Sequence, residues 1–310
     1  MLRHSRRDAR SADRAPLPSG FGTIWSTVAL DLVGFGIILP ILPQYAERFG
    51  ASPAVVGALF ASFSVAQLLC APLWGSVSDR IGRRPVLILS LVGTAVGSLL
   101  TGLAGSLPLL FAGRILDGAS GASVSVAQAS VADISPAGQR ARLFGLLSAA
   151  FGVGFVAGPA LGALAALGGT RLPFLVAAGL AGANAIAAVF RLPETLSLAE
   201  KTVVPAVKKE KRARGLTELI AIAFVSLLAF SAFEATFALF GERRLDLGPA
   251  STGALFTAIG IVLVLVQSSL VHPAVNRLGE TRTLQLALAA NAVGLLMLAT
   301  VHSWWSLVPT

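Results

Sequence analysis

Long apolar stretches separated by short polar gaps run through this chain from residue 22 almost to its end. An α-helix needs about 20 apolar residues to cross the hydrocarbon core of a bilayer. Nine stretches can do so, at roughly 22–46, 54–77, 85–104, 108–131, 142–167, 172–190, 216–240, 250–272 and 283–301. The pattern predicts an all-α polytopic membrane protein. Residues 301–310, with Trp304 and Trp305, read either as an interfacial aromatic cluster or as the opening of a tenth helix. The one long polar gap, 191–215, is rich in lysine and follows the sixth stretch. It divides the chain into a basic tail 1–20, a six-helix bundle 21–190, a linker 191–215 and a second bundle 216–310 that is incomplete beside the first. An internal echo supports the division: Asn276-Arg277-Leu278-Gly279-Glu280 follows the eighth span as Asp79-Arg80-Ile81-Gly82-Arg83 follows the second.

Composition narrows the class. With 55% hydrophobic and 13% charged residues and a mean hydropathy of +0.79, the chain is unlike a water-soluble domain. Its net charge of +9 would suit a nucleic-acid binder if the basic residues were clustered. They are spread over alternate gaps instead. The N-terminal tail (Arg3, Arg6, Arg7, Arg10, Arg14) and the second, fourth, sixth and eighth gaps hold nineteen of the 24 Lys and Arg residues. The opposite side holds Arg48, Arg171, Arg243 and Arg244, and Arg114 lies inside a span. Basic residues stay on the cytoplasmic side of membrane helices, so this distribution predicts a multi-pass protein of the cytoplasmic membrane with a cytoplasmic N-terminus, partnered by lipid and not by nucleic acid. The first apolar run is too long for a signal peptide, and no small-residue cleavage site closes it. The single cysteine, Cys70, sits in an apolar stretch and reads as a small hydrophobe. No Cys/His cluster suggests a metal site, and no constellation supports an enzyme.

A few charged residues stand inside the apolar spans. Asp31 lies about nine residues into the first span, roughly 14 Å deep. An ionised carboxylate there costs about 2.5–3.5 kcal/mol, so it is expected to face a cavity, pair with a cation or take up a proton. A purely structural pair is the alternative. In the fourth span Arg114, Asp117, Gly118 and Gly121 share one helical face. Arg114 cannot deprotonate, which suits it to be the fixed positive charge that tunes a nearby carboxylate; a self-satisfied pair with Asp117 is the plainer reading. Glu234, in the seventh span, either lies in the outer part of a central cavity and favours cationic or proton-coupled solutes or snorkels towards Arg243 and Arg244. Phe35, Phe224, Phe230, Phe233 and Phe237 could line a pocket for aromatic compounds or simply pack. The fifth span carries Gly154, Gly158, Pro159 and Gly162, a close-packing stripe with a helix-bending proline.

The gap after the second span reads Gly75-Ser76-Val77-Ser78-Asp79-Arg80-Ile81-Gly82-Arg83-Arg84, of the form G-x-x-x-D-R-x-G-R-R. This resembles the cytoplasmic loop motif of the major facilitator superfamily of solute transporters. The fourth span is similar to that superfamily's R-x-x-x-G-x-x-G pattern (Arg114, Gly118, Gly121), which in relatives is tied to proton coupling. The G-x-x-x-G-P-x-x-G run from Gly154 to Gly162 resembles the motif of its exporters and antiporters. Together they look like the twelve-helix drug:proton antiporter branch, closest to tetracycline-type exporters. The resemblance implies proton-coupled efflux of a hydrophobic drug-like solute by alternating access, driven by the proton gradient without a cofactor. Asp31 would be the coupling acid, Arg114 its tuner, and Gly75, Asp79, Arg80, Gly82, Arg83 and Arg84 the gating loop, whose aspartate in relatives engages helix eleven. Three departures point to a substrate other than tetracycline: Gly97 and Asn291 stand where those exporters have acids, and Leu263 where they have a histidine. The competing expectations are uptake of a sugar or metabolite by the same fold, and a C-terminally truncated chain that does not transport alone.

Overall fold

A computed structural model describes residues 16–136, 139–196 and 214–300. The basic tail before residue 16, most of the linker and the segment 301–310 lie outside the described residues. The described residues form twelve helices and no strand: α1 Phe21–Ile38, α2 Leu42–Glu47, α3 Pro53–Ile81, α4 Arg83–Gly102, α5 Leu107–Ser120, α6 Ser123–Ile134, α7 Arg140–Ala166, α8 Leu172–Arg191, α9 Arg214–Leu245, α10 Pro249–Ser269, α11 Val271–Leu278 and α12 Glu280–Ala299. Eight of them are long and apolar enough to cross a membrane. The ninth expected span, the fourth along the chain, is present in two pieces, α5 and α6, each too short by itself.

Local sequence explains the boundaries. Pro53, Pro108, Pro173 and Pro249 each stand in the first turn of a helix, where a missing N–H costs nothing and the fixed φ favours helix. Ser52 caps α3 by accepting from the Val55 N–H. The first span, expected to reach residue 46, stops at Ile38 and resumes as α2, because Pro40 has no N–H to continue the helical hydrogen bonds.

The second span overruns its expected end. Helix α3 continues through Asp79 and Arg80 to Ile81, so most of the expected cytoplasmic loop is helix. The turn into α4 is Gly82 alone, with φ 109° and ψ 159°, a conformation that a side chain opposes. Gly279 joins α11 to α12 with φ 80° and ψ 164°. The internal echo in the sequence is therefore also an echo in the backbone.

Two apolar clusters build the first bundle. One joins Ile24 and Val28 of α1, Leu87 and Leu91 of α4, and Val126 and Val131 of α6. The other joins Val33 and Ile37 of α1, Leu59 of α3, and Leu110 of α5. Along α1, Asp31 falls between the two clusters. Along α4 so do Thr94 and Ser98, and along the fourth span so do Arg114, Asp117 and Gly121. A polar layer thus divides the apolar core at one depth.

Candidate functional site

That layer opens into a cavity of about 280 Å³. Its walls include Asp31, Gln67, Thr94, Ser98, Asp117 and Ser123, with Phe35, Phe63 and Phe151 among the apolar lining. A mostly apolar pocket with a few convergent polar groups suits a small organic ligand.

The structure brings Asp31 and Asp117 to one cavity and pairs Asp117 with Arg114. Arg114 Nη1 donates to Asp117 Oδ2 at 2.9 Å, within one turn of α5. The guanidinium also lies 4.3 Å from the centre of the Phe63 ring, a cation–π contact. Arg114 is 1% exposed and Asp117 5%. Charge pairing therefore favours the plainer reading of the two: Arg114 is neutralised by Asp117. Asp31 accepts a hydrogen bond from the Ser123 hydroxyl at the start of α6. Its other oxygen, Oδ1, is buried and has no hydrogen-bond partner among the described residues. Gly97, where the family resemblance implies an acid, packs directly on Asp117: a Cβ at 97 would stand 2.8 Å from the Asp117 Cβ and backbone N. The space that an acid would need there is filled by the Asp117 backbone and side chain.

Helix α7 seats the glycine stripe against α1. A Cβ on Gly158 would lie 2.6 Å from Gly36 Cα, one on Gly154 2.7 Å from Leu32 Cβ, and one on Gly162 2.8 Å from the Ile37 carbonyl oxygen. The stripe is a backbone-to-backbone contact beside the cavity wall. Another side of α7 meets α10, where Gly253 stands against the Pro159 carbonyl and Gly260 against that of Phe155.

At the end of α3 the gating residues form a charged knot. Arg83 donates from Nη1 to Asp79 Oδ1 at 2.6 Å and to Ser78 Oγ at 2.7 Å, and from Nε to Asp133 Oδ2 at 3.0 Å. Glu194 accepts from the Arg83 backbone N–H at 2.9 Å and the Arg84 N–H at 3.3 Å, capping the start of α4. Arg84 donates to the Val189 carbonyl at 2.5 Å. Arg80 is exposed, and nothing stands within 4 Å of a Cβ placed on Gly75, so no packing contact explains that glycine. Sequence reasoning missed Asp133 and Glu194. The signal available was an acid at the end of the fourth span and another in Leu192-Pro193-Glu194-Thr195.

Glu234 is half-buried on α9, on the face it shares with Phe230 and Phe237. Those rings join Phe155, Phe233 and Phe256 in a chain of aromatic contacts with centroids 4.9–6.4 Å apart. Glu234 Oε1 is buried without a hydrogen-bond partner among the described residues. Arg243, the suggested snorkelling partner, instead pairs with Glu47 at 2.7 Å. Beside that pair Gln44 of α2 donates to the Leu247 carbonyl at 2.9 Å. These contacts tie the first bundle to the second.

Residues 24–309 match the Major Facilitator Superfamily. The class C tetracycline resistance protein of Escherichia coli is 37% identical over 297 residues, covering 92% of this chain and 75% of the relative. Multidrug resistance protein 2 of Bacillus subtilis (strain 168) is 34% identical over 293 residues, 91% of this chain and 73% of the relative. Among solved structures, the human organic anion transporter TETRAN superposes with a TM-score of 0.65 at 26% identity, over 81% of this chain and 71% of that one. With the loop motif, the glycine stripe and the polar layer at the positions described, this chain belongs to the Major Facilitator Superfamily of integral membrane transporters.

Proposed function

We propose that the chain is a proton-coupled exporter of hydrophobic drug-like solutes in the cytoplasmic membrane, with its N-terminus in the cytoplasm. The observation that carries this reading is Asp31: one carboxylate oxygen is buried without a partner, in a cavity where the other acid is already neutralised. Because Arg114 and Asp117 cancel, the charge of the cavity switches with Asp31 alone. A proton and a drug then compete for one site, which is the minimum that exchange requires. Similarity to tetracycline and multidrug resistance proteins supports export over metabolite uptake. Energy comes from the proton gradient, no covalent chemistry is involved, and alternating exposure of the cavity does the work.

Asp31→Asn keeps the shape of the side chain and removes the titration. In everted vesicles acidified by respiration, ethidium, tetracycline and a wider drug panel should release protons through the unaltered protein and not through Asp31→Asn, while drug binding persists. Undiminished proton release by Asp31→Asn would move the coupling role to another acid, with Glu234 the first to examine.

A further inference from the structure

The fourth span is interrupted at Gly121, and the interruption is built. Gly121 has φ −69° and ψ 56°, and the Ala122 N–H bonds back to the Ser120 carbonyl at 2.7 Å, which makes an inverse γ-turn between α5 and α6. Non-helical backbone at membrane depth must have its polar groups satisfied. Three neighbours do this: Trp74 Nε1 donates to the Ala119 carbonyl at 2.6 Å, Gln67 Nε2 to that of Gly121 at 3.2 Å, and Ser90 Oγ to that of Ser120 at 2.5 Å. The Ser90 hydroxyl also accepts from the Ala122 N–H at 3.2 Å, so it bridges both sides of the break.

The turn changes which side chains meet the cavity. In an unbroken helix Asp117 and Ser123 would point about 120° apart, since six residues at 3.6 per turn fall short of two turns by a third of one. In this fold both line the same cavity. The break also places the first turn of α6, the positive end of its dipole, beside the Asp31 carboxylate.

We propose that Ser123 is the positioning residue for Asp31, and that the break at Gly121, bridged by Ser90, exists to present its hydroxyl to that carboxylate. This rests on the reading of Asp31 as the coupling acid. Asp117, itself paired with Arg114, is the charged group that lines the cavity with Asp31. The helices packed around it bring charge only towards their ends, through Asp79 and Arg80 of α3, Arg83 and Arg84 of α4, Asp133 of α6, Arg140 and Arg142 of α7 and Arg191 of α8. A hydroxyl that donates to the ionised carboxylate favours that form, so removing it eases protonation.

The test is pH-titrated infrared difference spectroscopy of the purified 310-residue protein in nanodiscs, reading the C=O band of the protonated carboxyl. The band lost in Asp31→Asn identifies Asp31. Its midpoint should rise by about one pH unit in Ser123→Ala, the size expected of one hydrogen bond to a charged group. Ser123→Thr should restore it, Ser90→Ala should move it the same way by a smaller step, and Ser125→Ala, on the same turn, should leave it alone. An unmoved midpoint in Ser123→Ala, or a Ser123→Thr protein that behaves like Ser123→Ala, overturns the positioning role and leaves proton coupling intact. If Ser123→Ala does not fold, an unmoved midpoint in Ser90→Ala overturns it. A spectrum in which Asp31→Asn removes no band overturns both.

Discussion

Arg114 and Asp117 show how far a single residue can be read. A lone arginine and a lone aspartate three positions apart in an apolar run are visible in sequence because their burial is costly and their spacing places them on one face. What the sequence leaves open is which of two acids the arginine neutralises, since Asp31 lies 83 positions away and only packing decides. Serines escape notice for the opposite reason: Ser90 and Ser123 are ordinary in membrane helices, and their partners lie 30 and 92 positions distant. The pairing has a measurable consequence. Removing one partner of a buried pair strands the other, so Asp117→Asn should cost about 3–5 kcal/mol of stability, whereas Arg114→Met with Asp117→Asn should recover much of it. Denaturant unfolding in detergent, carried out on both singles and the double, checks this; additive losses would show that the two side chains are not coupled.

Helices were the legible elements, because a run of about 20 apolar residues has few other uses. Their interruptions were not. Pro40 marks one break with a residue that cannot continue a helix, but Gly121 adopts a turn open to most residues and is held by side chains of other helices. The loop motif is legible as a motif, but how little of it is turn is not: Asp79 and Arg80 continue the helix and only Gly82 needs special backbone geometry. The glycine stripe of α7 is the element where contact geometry yields a sharp test. Gly158→Ala would drive a methyl to 2.6 Å from Gly36 Cα, which is backbone and cannot step aside, so a loss of about 1–3 kcal/mol is expected. Gly145 lies on the same helix with nothing within 4 Å of a Cβ, and Gly145→Ala should gain up to about 1 kcal/mol from helix propensity. Thermal midpoints of the two variants in one detergent should move in opposite directions. A Gly158→Ala protein as stable as the parent would mean that α1 and α7 are farther apart than described.

Across the whole molecule, the two bundles meet along α7 and α10 and again where α2 reaches α9 and Leu247. In the proposed topology Glu47, Arg243 and Gln44 lie on the outer side, where the contacts from α2 to α9 and to Leu247 join the two bundles. The Glu47–Arg243 pair is partly exposed, with 57% of the arginine side chain open, so the pair itself contributes no more than about 1 kcal/mol. Reversing one charge does more than delete the pair, because two like charges then face each other at a contact that must close. Arg243→Glu should therefore shift the protein towards outward-open states, and Glu47→Arg in the same chain should restore closure. The reporter is a cysteine replacing Phe35 in the cavity wall, in a background with Cys70 changed to alanine. Its labelling by an impermeant thiol reagent added outside intact cells should rise about threefold or more in Arg243→Glu and fall back in the charge-swapped double, with everted vesicles giving the opposite trend. Faster labelling from the cytoplasmic side in Arg243→Glu would place this pair at the inner end of the cavity and invert the topology.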